Sequence, residues 1–66
     1  MDSSLSSRAV IKALEADGWV LVAVEGSHHQ YKHPVKSGRV TVKHPIKDIP
    51  LGTLKSIEKQ ARLSLR

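Results

Sequence analysis

The sequence predicts an α+β domain of order α-β-β-β-α, a three-stranded antiparallel sheet with two helices on one face. Three observations lead there. Apolar residues recur at helical spacing near both ends of the chain, within 7–16 and 51–62. Three short strand-like runs lie between them, joined by connections too brief for parallel crossovers. The length, 66 residues, suits one small core, so 1–66 is read as a single domain in which any chemistry sits on an open face or in a shallow groove.

Residues 1–6 are polar and Ser-rich and are expected to fray. Ser6 or Ser7 is suited to cap the first helix, because a short hydroxyl side chain accepts from the orphan N–H groups of the first turn. Val10, Ile11 and Leu14 form the apolar stripe of a helix over 7–16, and Asp17-Gly18 ends it. Trp19 to Val24 (WVLVAV) is mostly apolar and β-branched, which predicts a strand buried largely on both faces, with Trp19 in the core. Glu25-Gly26-Ser27 makes a turn. From His28 to His33 the side chains alternate: His29, Tyr31 and His33 share one face, His28, Gln30 and Lys32 the other. Tyr31 is the most apolar of the six, so its face meets the core. A loop over 34–38 leads to Arg39–Lys43, where Val40 and Val42 point in and Arg39, Thr41 and Lys43 point out. His44-Pro45 ends this strand, since proline cannot donate to the ladder. Pro50 precedes a second helix over 51–62 with Leu54, Ile57 and Ala61 buried. The sheet face without helices then carries His28, Gln30, Lys32, Arg39, Thr41 and Lys43, unless a bulge at Gly26-Ser27 shifts the alternation.

Charge narrows the function. Eleven Lys and Arg oppose six Asp and Glu, a net +5, and the cations concentrate from Lys32 onward. Such asymmetry points to an anionic partner, most often nucleic acid. With no cysteine, a disulfide framework and a thiolate metal site are excluded. No apolar run approaches the roughly 20 residues of a membrane span. The N-terminus lacks the pattern of a signal peptide, so a cytoplasmic location is expected. Gly26 to Pro34 gathers three of the four histidines, but alternation separates His28 from His29 and His33, so neither a three-histidine metal site nor any cofactor is expected.

The segments Leu14-Glu15-Ala16-Asp17-Gly18-Trp19, Gly26-Ser27-His28-His29-Gln30-Tyr31-Lys32-His33-Pro34, Val40-Thr41-Val42-Lys43-His44-Pro45 and Asp48-Ile49-Pro50-Leu51-Gly52-Thr53-Leu54-Lys55-Ser56-Ile57 resemble, in this order, the HicA toxin family. The resemblance covers most of the chain, and Gly-Ser-His-His together with Pro-x-Gly-Thr-Leu makes it specific. It implies a double-stranded-RNA-binding-domain-like fold and a toxin that cleaves mRNA and is neutralised by a HicB antitoxin. It also implies that the histidine directly after Gly-Ser, His28, is catalytic. Two positions depart from the family pattern: Gln60-Ala61-Arg62-Leu63 stands where the family has Gln-Ala-Gly-Leu, and Glu58 replaces an apolar residue.

Metal-free RNA cleavage needs a base for the 2′-hydroxyl, cations for the charge that builds on phosphorus, and an acid for the leaving 5′-oxygen. Histidine suits either proton transfer, and Lys or Arg suits the charge. His28 is therefore the candidate catalytic residue. Gly26, Ser27, His29, Gln30, Lys32, Arg39 and Lys43 are the candidate RNA contacts, and the acid partner is left unassigned. The toxin is expected to be monomeric alone and to form a hetero-oligomer with its antitoxin. A noncatalytic RNA-binding module of the same fold and a pure protein-interaction module are the competing readings, because function lives in the site rather than the fold.

Overall fold

Helix α1 (Ser7–Ala16) starts where Ser6, in extended conformation, accepts the N–H of Ala9 on its side chain at 3.1 Å. The computed structural model describes residues 5–65. Residues 1–4, part of the stretch expected to fray, lie outside them, whereas Leu5 is held in place: its carbonyl accepts the N–H of Ile49 at 2.8 Å in an isolated antiparallel bridge. The helix ends at Asp17. Gly18, at φ 102, turns the chain so that Trp19 N–H reaches back to the carbonyl of Leu14. A Cβ at Gly18 would stand 2.8 Å from Nε2 of His33, so glycine is required there by space as well as by φ.

Strands β1 (Val20–Glu25), β2 (His28–Lys32) and β3 (Arg39–Lys43) form an antiparallel meander in the order β1-β2-β3. Helix α2 (Leu51–Ala61) follows, which completes the predicted α-β-β-β-α order. Both helices pack on the face that carries Tyr31, Val40 and Val42. With Val10 and Leu14 of α1, Leu54, Ile57 and Ala61 of α2, Trp19 and Ile49, these residues make the core. At roughly 1.5–3 kcal/mol for each large apolar side chain buried, this single cluster is the main stabilising element of so short a chain.

The helices reach β3 most closely, and β1 lies at the far edge of the sheet. The expectation that the WVLVAV run is buried on both faces is therefore wrong beyond Trp19: Val20, Leu21, Val22 and Val24 are all exposed. Both helices dock toward β3, and this position rather than their width leaves the outer side chains of the third strand uncovered. The bulge also falls elsewhere than at Gly26-Ser27. Val22 is the extra residue in β1, where the register passes from Leu21↔Tyr31 to Ala23↔Gln30. The pairing of β2 with β3 is regular, and the predicted alternation holds across both strands.

Helix α2 ends at Arg62, whose φ of 51 and ψ of 49 are left-handed; the N–H groups of Arg62 and Leu63 both turn back to the carbonyl of Glu58. No glycine stands at this left-handed position, and the helix stops there without one. Lys36 supplies part of the reason. Its ammonium donates to the carbonyls of Ala61 and Arg62 at 3.0 and 3.2 Å and to the carboxylate of Asp17 at 2.6 Å, joining the C-terminal ends of both helices.

Candidate active site

The turn Gly26-Ser27 joins β1 to β2 with only two residues. Gly26, at φ 60, takes the first position, where a tight hairpin calls for a left-handed residue. So short a turn places its flanking residues directly opposite each other, Glu25 against His28. On the other side of β2, His28 stands opposite Lys43. Its side chain is exposed on the sheet face that carries no helix.

That face holds the residues alternation assigned to it. Register pairs Gln30 with Ala23 and Thr41, and Lys32 with Val20 and Arg39. Arg39 donates to the side-chain oxygen of Gln30, so those two form a polar pair beside Lys32. His28, Lys32, Arg39 and Lys43 are exposed and Gln30 is half-buried. The arrangement is one imidazole among three cations, with a single carboxylate, Glu25, across the hairpin. Directly opposite residues in an antiparallel pair have their Cβ atoms roughly 4.5–5.5 Å apart, so Glu25 and Lys43 both reach the neighbourhood of the His28 ring. The sequence reading placed Glu25 in the turn and gave it no role at the site; the structure makes it the last residue of β1. The signal was present in the two-residue turn, which fixes Glu25 opposite His28 once both strands exist.

The other histidines serve the fold. His29 faces the helix side, its Nδ1 3.3 Å from the carbonyl of Ser27 and its ring edge-on to that of His44, with centroids 5.1 Å apart. Because the backbone N–H of His44 also donates to the Ser27 carbonyl at 2.8 Å, the turn before His28 is held from two sides. His29 is thus set apart from the other candidate RNA contacts, on the opposite face of β2.

His33 organises the loop after β2. Its Nδ1 accepts the N–H groups of Val35 and Lys36, both at 3.0 Å, which leaves Nε2 as the donor to the carbonyl of Asp17 at 2.7 Å. Both ring nitrogens are engaged, and Trp19 packs edge-on against the ring. His44 lies beyond β3, before a cis bond to Pro45, and its Nδ1 is 2.6 Å from the hydroxyl of the buried Ser7. Ser7 Oγ also accepts the N–H of Ile46 at 2.8 Å. Among the described residues no three His, Asp or Glu side chains come together as a metal set.

Residues 7–63 match the family described as the HicA toxin of bacterial toxin–antitoxin systems, which takes in every element of the fold and the whole candidate site. No curated protein matches the chain.

Proposed function

The chain belongs to the HicA toxin family of bacterial toxin–antitoxin systems, and we propose that it acts as a metal-independent endoribonuclease that cleaves mRNA, with His28 as the catalytic residue. The observation that carries this reading is the position of His28: exposed, directly after a two-residue glycine turn, on a cationic sheet face with Lys43 opposite it.

The chemistry needs no group beyond those present. The neutral imidazole of His28 takes the 2′-hydroxyl proton while that oxygen attacks the adjacent phosphorus. The bond from phosphorus to the 5′-oxygen breaks, leaving a 2′,3′-cyclic phosphate and a 5′-hydroxyl. Lys43, Lys32 and Arg39 lie on the same face to offset the charge that grows on the phosphoryl oxygens. Gly26 has open space around it and no side chain, which lets a phosphate approach the backbone N–H groups of the turn. The leaving oxygen receives its proton from the imidazolium formed in the first step or from water.

The same face explains inhibition and substrate. A cationic sheet with few aromatic side chains, both of them buried in the core, holds RNA through phosphate contacts rather than by stacking bases. A HicB-type antitoxin neutralises the toxin by covering His28, and the released toxin lowers translation and growth by cutting mRNA in the cytoplasm. Among the described residues no helix is long and apolar enough to cross a membrane.

The test is cleavage of a defined mRNA by the purified chain in excess EDTA, wild type beside His28→Ala. The wild type is expected to cut and the variant to lose about 10²–10⁴-fold in rate, the usual worth of a positioned acid–base group. Loss of wild-type cutting in EDTA would refute metal independence. Equal cutting by both proteins would remove His28 from the mechanism. RNA binding without any cutting would assign the chain to the noncatalytic class.

A further inference from the structure

Strand β1 carries a surface that the catalytic reading does not use. Its sequence, VLVAVE, holds no Lys, Arg or Pro, and four of its side chains lie open: Val20 at 58%, Leu21 at 43%, Val22 at 49% and Val24 at 52% exposure. The opposite edge is built differently, since β3 alternates buried valines with Arg39, Thr41 and Lys43. Edge strands are normally kept from pairing by charge, proline, cover or a bulge that twists the edge away. Among the described residues β1 has no charge, proline or cover along Val20–Val24 and no strand lies beyond it; its one such device is the bulge at Val22, which the register below accommodates.

The ladder shows which backbone groups of β1 are available. His44 N–H bonds to the Ser27 carbonyl, so the 27–44 pair is a bonded one. Bonded and non-bonded pairs alternate along an antiparallel ladder. His29↔Val42 and Tyr31↔Val40 are then bonded pairs, and β2 turns the backbone of His28, Gln30 and Lys32 toward β1. Their partners Glu25, Ala23 and Val20 are satisfied by β2, and the N–H and C=O groups of Leu21 and Val24 point outward.

We propose that β1 is a self-association edge, on which a second copy of this chain pairs antiparallel about a two-fold axis passing between Val22 and Ala23. In this register Leu21 faces Val24 of the second copy and Val24 faces its Leu21. The two outward-pointing residues of each strand meet, and four backbone hydrogen bonds form. The bulge makes the register possible. In a regular strand residues three apart lie on opposite faces, so a two-fold axis normal to the sheet could not set them against each other. The extra residue Val22 brings Leu21 and Val24 to the same face, opposite Tyr31 and His29 respectively. Their apolar side chains therefore cover one another on the helix side, where the helices do not reach. On the other face Glu25 lies against Val20 of the second copy, whose cross-strand neighbour is Lys32, so unlike charges approach at both ends. The result is one continuous six-stranded sheet with both His28 residues on its open face.

A pairing of six residues per chain is a small interface, and two chains of net +5 repel. The dimer is therefore concentration-dependent and strengthens as salt screens that repulsion. This differs from the monomer that the sequence reading expects, and it stands whether or not His28 is catalytic.

The chain has no cysteine, so cross-linking reads the register directly. Leu21→Cys and Val24→Cys chains, mixed and mildly oxidised, are expected to join as a mixed disulfide. Either variant alone stays uncross-linked, because the bulge sets Leu21 and Val24 opposite Tyr31 and His29, two ladder positions or roughly 7 Å apart along the strand, and the ~4.8 Å strand spacing then leaves each residue about 8 Å from its own copy, beyond the ~7 Å Cα limit of a disulfide. Sedimentation velocity on the wild-type chain should show the mass doubling as concentration and salt rise, and Val24→Lys, at an exposed site that does not disturb the core, should hold it at one chain. A wild-type chain that stays single throughout overturns the proposal. So does equal cross-linking by Leu21→Cys alone. Protection of the Leu21 and Val24 amides from hydrogen exchange only when antitoxin is added, with none on concentrating the toxin, would assign the edge to the antitoxin instead.

Discussion

Replacing Arg62 by glycine should make this protein more stable, although it removes a charged side chain from a helix terminus. Arg62 sits at φ 51, ψ 49 at the C-terminal end of α2. A residue with a Cβ pays about 1–2 kcal/mol in that region, because Cβ crowds the following carbonyl. Glycine removes that term but makes the unfolded chain more flexible, at a cost of about 0.4–1 kcal/mol. The side chain itself contributes little. Its one hydrogen bond, Nη2 to Ser37 Oγ, is exposed and 3.4 Å long. Its charge near the helix end is worth about 0.3 kcal/mol when exposed. The Lys36 contacts are made to the backbone carbonyls of Ala61 and Arg62 and survive the change. The net is a gain of about 0.5 kcal/mol, or a Tm rise of about 2–4 °C for a chain of this size. Urea unfolding of wild type, Arg62→Gly and Arg62→Ala separates the contributions, since alanine removes the side chain and keeps the strain. Glycine should exceed alanine by about 0.5–1 kcal/mol. Equal midpoints for the two variants, or a glycine variant below alanine, would refute the strain argument.

Two further outcomes follow from contacts away from the candidate site. Ser7→Ala leaves the N–H of Ile46 and Nδ1 of His44 without their hydroxyl partner in a buried setting, and should cost about 1–3 kcal/mol in chemical denaturation. Loss of less than a few tenths would mean that water replaces the hydroxyl. The Asp17 carboxyl lies below its ordinary value of 3.8, chiefly through the hydrogen bond from Lys36. A depressed carboxylate contributes stability that is complete above the unfolded value and is lost as pH falls through the folded one. Below about pH 4 the wild type should therefore lose urea resistance faster than Lys36→Met, measured by the midpoint at each pH; parallel profiles would show that the ion pair contributes nothing.

Hydrogen-bonded loops explain why some of this structure was not legible beforehand. His33, Lys36 and Ser7 read in the sequence as a strand residue, a loop cation and a possible cap. Each instead joins segments far apart in the chain: His33 to Asp17, Lys36 to the ends of both helices, Ser7 to His44 and Ile46. No local pattern marks such partners, because polar side chains satisfy whichever backbone groups the packed fold leaves exposed to them. Glu25 is the intermediate case. Its place opposite His28 follows from a two-residue turn, yet the turn is short only if both flanking strands form.

By itself the sequence determined the element order, the inward face of β2 and β3, and the separation of His28 from His29. Those features depend on periods of 3.6 and 2.0, which the backbone imposes locally. The tertiary structure alone decided that β1 is an exposed edge. An apolar run of strand length records that its residues suit a sheet, but which strands the helices cover depends on where they dock. The bulge at Val22 is decided at the same level, since it exists only in the register between two paired strands.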